Sequence, residues 1–111
     1  RHLSDVIKRD IVSGNWMPSE KLPPARELAQ QYEKNPNTVK GSLSTLEKEG
    51  LIDSKRTTGK YVTGNEILVS SIREREARKL AGDFVKKLDN IGIRPDELAM
   101  IFKNPEIPYL E

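Results

Sequence analysis

Through the N-terminal half of the chain, apolar residues recur at spacings of three and four, and each such stretch is closed by residues that stop helices. Leu3, Val6, Ile7, Ile11 and Val12 form the first stripe, and Gly14 with Asn15 supplies a stop. Trp16 to Pro18 turns the chain. Lys21 and Leu22, ahead of Pro23 and Pro24, leave room for no more than a small edge strand. Pro24 opens a second helix with Ala25, Leu28, Ala29 and Tyr32 on its apolar face. A short turn at Glu33 and Lys34 leads into a third helix from Pro36 to about Glu49, with Val39, Leu43 and Leu46 inward and Gly50 at its C-cap. Two compact helices joined by so tight a turn predict a helix-turn-helix. Trp16 and Tyr32 are read as packing residues.

Residues 51–55 and 60–63 then read as the two strands of a hairpin, with Arg56, Thr57, Thr58 and Gly59 at its tip. A hairpin in this position is a wing. Beyond Gly64 the texture changes to one long amphipathic segment, with Ile72, Ala77, Leu80, Ala81, Phe84, Val85, Leu88 and Ile91 mostly three and four apart, ended by Gly92. Pro95 begins a shorter helix with Leu98, Ile101 and Phe102 inward, and residues 104–108 stop it. Two helices alone cannot cover this stripe, so Ile72, Leu80, Phe84, Leu88, Ile91, Leu98 and Phe102 are expected to form a dimer contact. The expected fold is mostly α with a small β-wing (α+β). A winged helix-turn-helix domain occupies residues 1–64, and a two-helix dimerisation domain occupies residues 65–111.

Composition narrows the function. A chain of 111 residues holds no large enzyme core, and 35% hydrophobic against 32% charged residues suits a foldable domain of marginal core size. Net charge is only +2, but it is unevenly placed: residues 1–65 carry 11 Lys and Arg against 8 Asp and Glu, whereas residues 66–111 carry 8 against 9. The absence of cysteine excludes disulfides, thiol catalysis and thiolate-bound metal. His2 is the only imidazole, and it reads as a disordered terminal residue. We find no paired carboxylates in a cleft-like context, no nucleophile with a base and no phosphate-binding glycine loop. Neither catalysis nor a metal or cofactor is expected. No membrane-length apolar run or signal peptide is visible, so a cytoplasmic protein is expected. The start at Arg1 suggests that leading residues are missing, and Leu110 with Glu111 reads as a cloning scar.

The third helix carries the chemistry. Asn35 caps it, Pro36 suits its first position, and Asn37, Thr38 and Lys40 project from the first turn; Asn35, Asn37, Thr38 and Lys40 are the candidate DNA contacts here, where a helix-turn-helix reaches base edges and phosphates. Lys40 fits a phosphate or a guanine. At the hairpin tip, Arg56 suits the negative potential of a minor groove, Gly59 permits close backbone approach, and Thr58 lies beside them. Arg73, Arg75, Arg78 and Lys79 read as a solvated helix face.

Taken in order, Ile11, Gly14, Leu22, Pro23, Arg26 to Ala29, the run Asn35 to Lys40, Leu46, Glu47, Glu49, Gly50, Arg56, Gly59, Tyr61 and Val62 resemble the GntR family of bacterial winged helix-turn-helix transcription regulators. The resemblance covers roughly residues 3–63. With only two further helices, the chain looks most similar to the YtrA subfamily. Four positions depart from the family pattern. Ser19 stands for a usual glycine, Pro24 for a common serine, Gly41 for a frequent arginine and Thr57 for a usual wing glycine. The resemblance implies that Arg26 bonds phosphate or a base edge. It also implies that symmetric homodimers bind palindromic double-stranded operators, usually as repressors, and it leaves any small-molecule effector open. The rival reading is a winged-helix module that binds protein instead of DNA, and a third is the DNA-binding head of a fused enzyme.

Overall fold

The computed structural model describes residues 2–106 and contains helices α1 (Leu3–Val12), α2 (Ala25–Tyr32) and α3 (Pro36–Lys48), strands β1 (Ile52–Lys55) and β2 (Gly59–Val62), and helices α4 (Glu66–Asp89) and α5 (Pro95–Lys103). Pro24 is the N-cap of α2 rather than its first helical residue. His2, expected to be disordered, is the N-cap of α1, and its carbonyl accepts a bond from the Asp5 N–H. Leu110 and Glu111 lie outside the described residues.

The strands pair antiparallel, Ile52 with Val62 and Lys55 with Gly59. Lys21 makes a single bridge to Tyr61, and Leu22 N–H donates to the Lys60 carbonyl at 2.8 Å, so the brief edge strand is present in its smallest form.

Contacts divide the chain into two units, the first running through Glu74 and the second beginning at Arg75. In the first unit the apolar stripes of α1, α2 and α3 meet the inner face of the hairpin. Ile7, Leu28, Val39, Leu46, Leu51, Ile52 and Val62 are each less than 2% exposed. Burying each such side chain stabilises the fold by about 1.5–3 kcal/mol before entropic costs are subtracted.

Val69 and Ile72, from the start of α4, are buried in the same cluster. Ile72, expected at a dimer contact, is therefore a core residue of the first unit. That unit runs ten residues past the expected end at residue 64 because the first turns of α4 supply part of its core. Arg73 also departs from the solvated face expected for it. Its Nε donates to the Val12 carbonyl at 2.7 Å, placing a cation at the C-terminal end of α1, where carbonyls lack partners within the helix.

Trp16 and Tyr32 do pack against the core, but they also share a polar clasp. Trp16 Nε1 donates to the Tyr32 hydroxyl at 2.9 Å, which donates to Asp10 Oδ2 at 2.6 Å, while Asn15 Nδ2 holds Asp10 Oδ1 at 3.0 Å. Burial first, and then the bond to Asp10, pushes the Tyr32 hydroxyl up to about 12, opposed by the Trp16 bond.

In the second unit, Leu98 is buried and the rings of Phe84 and Phe102 lie 6.1 Å apart. Arg94 N–H donates to Glu97 Oε1 at the start of α5. Ile101 and Phe102, expected inward, are exposed, as are Leu80, Ile91 and Met100; Leu88 is half-buried. One helix end and one short helix offer too little surface to cover them. No helix among the described residues is long and apolar enough to cross a membrane.

Candidate nucleic-acid interface

Asn35 has extended backbone, and its side-chain oxygen accepts the Asn37 N–H at 2.7 Å, satisfying one of the unpaired donors at the start of α3. Pro36 follows at the first helical position, where it removes a donor that would have had no partner. With Val39, Ser42, Leu43 and Leu46 buried, the helix presents Asn37, Thr38, Lys40, Gly41 and Ser44 to solvent.

A hollow of about 540 Å³ is lined by Pro24, Ala25, Arg26 and Glu27 from the start of α2 together with Pro36 and Lys40 from α3. The two expected cations thus face one depression between two helix N-termini, where backbone N–H groups and helix dipoles also favour anions. A second hollow runs between α3 and the hairpin, lined in part by Lys21, Leu43, Ser44, Thr58, Gly59, Lys60 and again Lys40. Lys40 is common to both. Arg56 is exposed at the hairpin turn and lines neither hollow; the same holds for Asn37 and Thr38 on the first turn of α3.

Among the described residues, Arg26, Lys40 and Arg56 enter no ion pair, so their charge is available to an external anion. Lys60 is differently placed. Its ammonium bonds Glu47 Oε1 at 3.1 Å and Ser54 Oγ at 2.7 Å, tying the hairpin to α3. The Ser54 hydroxyl, and then Lys60, hold the Glu47 carboxyl below its usual range. Lys55 lies 4.8 Å from the Tyr61 ring centroid and stiffens the hairpin beside Arg56.

Lys21, Ser44 and Lys60 were missed by sequence reasoning. Ser44 follows Gly41 at helical spacing on the same face and was legible in principle. Lys21 and Lys60 face the groove only because the edge segment pairs with β2, a contact that no local pattern encodes. The described residues contain no group of carboxylates and imidazoles able to hold a metal. What the surface offers is unpaired cations, amides and hydroxyls around a protruding helix and hairpin, a chemistry suited to phosphates and base edges.

Residues 1–62 match the family described as bacterial regulatory proteins, gntR family. The chain is 28% identical over 96 residues to the HTH-type transcriptional regulator YhcF of Bacillus subtilis, covering 86% of this chain and 79% of that one. It is 41% identical over 59 residues to the HTH-type transcriptional repressor YtrA of the same organism, covering 53% of this chain and 45% of that protein. Among solved structures, a GntR family transcriptional regulator from Listeria monocytogenes superposes with a TM-score of 0.83 at 29% identity, over 94% of this chain and 91% of that one. The chain belongs to the gntR family of bacterial regulatory proteins and is a winged helix-turn-helix transcription regulator, not an enzyme.

Proposed function

We propose that the protein represses transcription as a homodimer bound to a palindromic operator. The reading rests above all on the convergence of Arg26 and Lys40 on one hollow at the start of α3, with no anionic partner for either among the described residues. Helix α3 enters the major groove, where Asn37 and Lys40 meet base edges. Arg26 and Thr38 bind phosphate, and Arg56, Thr58 and Gly59 follow the adjacent groove. Dimerisation is supported by the exposed Leu80, Phe84, Ile91 and Phe102 of the second unit, which a second copy would cover. Two such helices read half-sites about 34 Å apart, or a multiple of that. A repressor of this kind works in the cytoplasm, where bacterial DNA lies.

Selection of bound sequences from a random duplex library tests the reading. The expected result is a palindrome enriched by the protein and lost when Arg26, Lys40 and Arg56 are all changed to alanine. Failure of a folded, dimeric sample to enrich any sequence would overturn it in favour of a protein-binding winged helix.

A further inference from the structure

Gly14, Gly50, Gly59 and Gly92 take positive φ, and a Cβ on Gly64 would lie 2.7 Å from Ser19 Oγ. Gly41 has neither reason to be glycine. It sits inside α3, it is exposed, and an added Cβ would meet nothing within 4 Å; Gly82 in α4 shares this property. Glycine in a helix interior is the poorest choice after proline, so at Gly41 the fold accepts a cost that nothing within the first unit repays.

On an α-helix, Asn37, Gly41, Ser44 and Lys48 fall on the side opposite the buried Val39, Leu43 and Leu46. Gly41 is thus the middle of the face that α3 turns outward. Thr45, four residues on, donates its hydroxyl back to the Gly41 carbonyl at 3.1 Å, so its hydroxyl proton is engaged within the helix. The centre of the exposed face therefore carries no side chain, and Asn37 and Ser44 are its neighbours at helical spacing.

We infer that Gly41 is a specificity-determining residue of α3, whose missing side chain admits the C5-methyl group of a thymine. This rests on the DNA-binding reading above. The thymine methyl is the apolar feature of the major-groove edge, and a bare Cα lets the helix axis approach it closely. Asn37, one turn earlier, then stands over the neighbouring base pair, where its amide has both a donor and an acceptor to offer.

The test combines Gly41→Ala with deoxyuridine, which lacks the thymine methyl. Gly41→Ala should raise the Tm by about 4 °C or more, because alanine favours the helix. The same variant should bind the operator selected by the wild type roughly tenfold more weakly. Replacing the operator thymines one at a time with deoxyuridine should weaken wild-type binding at one position per half-site and leave Gly41→Ala indifferent there. The inference is overturned if Gly41→Ala lowers the Tm, since the glycine then has an internal role. It is equally overturned if the variant selects the same sequence with unchanged affinity, or if no deoxyuridine position matters to the wild type. If the wild type enriches no sequence, the DNA-binding reading falls and takes this one with it.

Discussion

Tyr32→Phe isolates the polar clasp of the first unit, since it keeps the ring and removes only the hydroxyl that lies 2.9 Å from Trp16 Nε1 and 2.6 Å from Asp10 Oδ2. A hydrogen bond to a charged group contributes about 1.5–3 kcal/mol and a neutral one about 0.5–1.5 kcal/mol. Asp10 keeps its bond to Asn15 and the clasp is only part-buried, which points to the lower end, about 2 kcal/mol in total. For a unit of this size that lowers the Tm by roughly 10 °C. The pH dependence is the sharper part. With the folded hydroxyl pushed up from 10.0 to about 12, its stabilising contribution is complete below pH 10 and is lost as pH rises through the folded value. Two pH units correspond to a ceiling of about 2.7 kcal/mol, and partial solvent screening reduces this to about 1–2 kcal/mol.

Urea unfolding followed by the fluorescence of Trp16, the single tryptophan, gives both quantities when wild type and variant are compared from pH 7 to 11.5. Subtraction removes the titration of the other tyrosines and the lysines. The stability gap should be widest at neutral pH and narrow steadily above pH 10. A gap of zero at pH 7, or one that stays constant into the alkaline range, would refute the argument that the hydroxyl is held by this clasp.

Single changes of Arg26, Lys40 or Arg56 to alanine should each lower the slope of log affinity against log salt by about 0.9 for every phosphate left without its cation, or about 1.8 in a symmetric dimer, as read by fluorescence anisotropy between 50 and 200 mM salt. Ser19 holds φ of 65°, a left-handed conformation costly for a residue with a Cβ, so Ser19→Gly should stabilise the protein by about 0.5–1 kcal/mol in a urea titration. Because Ser54 and Lys60 hold the Glu47 carboxyl below 4.5, their contribution is present at neutral pH and is lost as pH falls through the lowered folded value; Lys60→Met should flatten this acid limb of the stability profile. Ile72→Ala should cost about 2–4 kcal/mol at any protein concentration, whereas Leu80→Ala should leave the first unit's stability unchanged and weaken self-association in analytical ultracentrifugation.

The helices of the first unit were legible because each has a stripe with one possible inward face. Leu28 and Ala29 in α2, and Val39, Leu43 and Leu46 in α3, have nowhere else to go. The Asn35 cap was legible for a local reason too, since an amide followed by proline has few other roles. Ile72 was misplaced because periodicity reports that a residue faces something apolar without naming the partner. The same 3–4 pattern serves the winged core at Ile72 and the exposed face at Leu80. Tyr32 and Trp16 were read by their rings alone, and the hydrogen bonds at their polar ends join residues up to 22 positions apart. Among the candidate DNA-binding residues, Arg26 and Lys40 were visible as charges, but only the turn between α2 and α3 brings them to one hollow.

The cap at Asn35 bears on how much sequence one half-site can encode. Bidentate recognition of adenine needs an amide that both donates and accepts, and one of the two lone pairs on the Asn35 oxygen already accepts the Asn37 N–H. The amide keeps its N–H donors and one lone pair, but the cap fixes its orientation at the start of the helix. Helix start and base code compete for the orientation of one amide, and the helix sets it. On the proposed DNA-binding reading, Asn37, whose side chain caps nothing among the described residues, is the amide of α3 free to turn to an adenine, and an Asn37→Ala variant should leave the operator its shape and spacing while losing one letter from each arm.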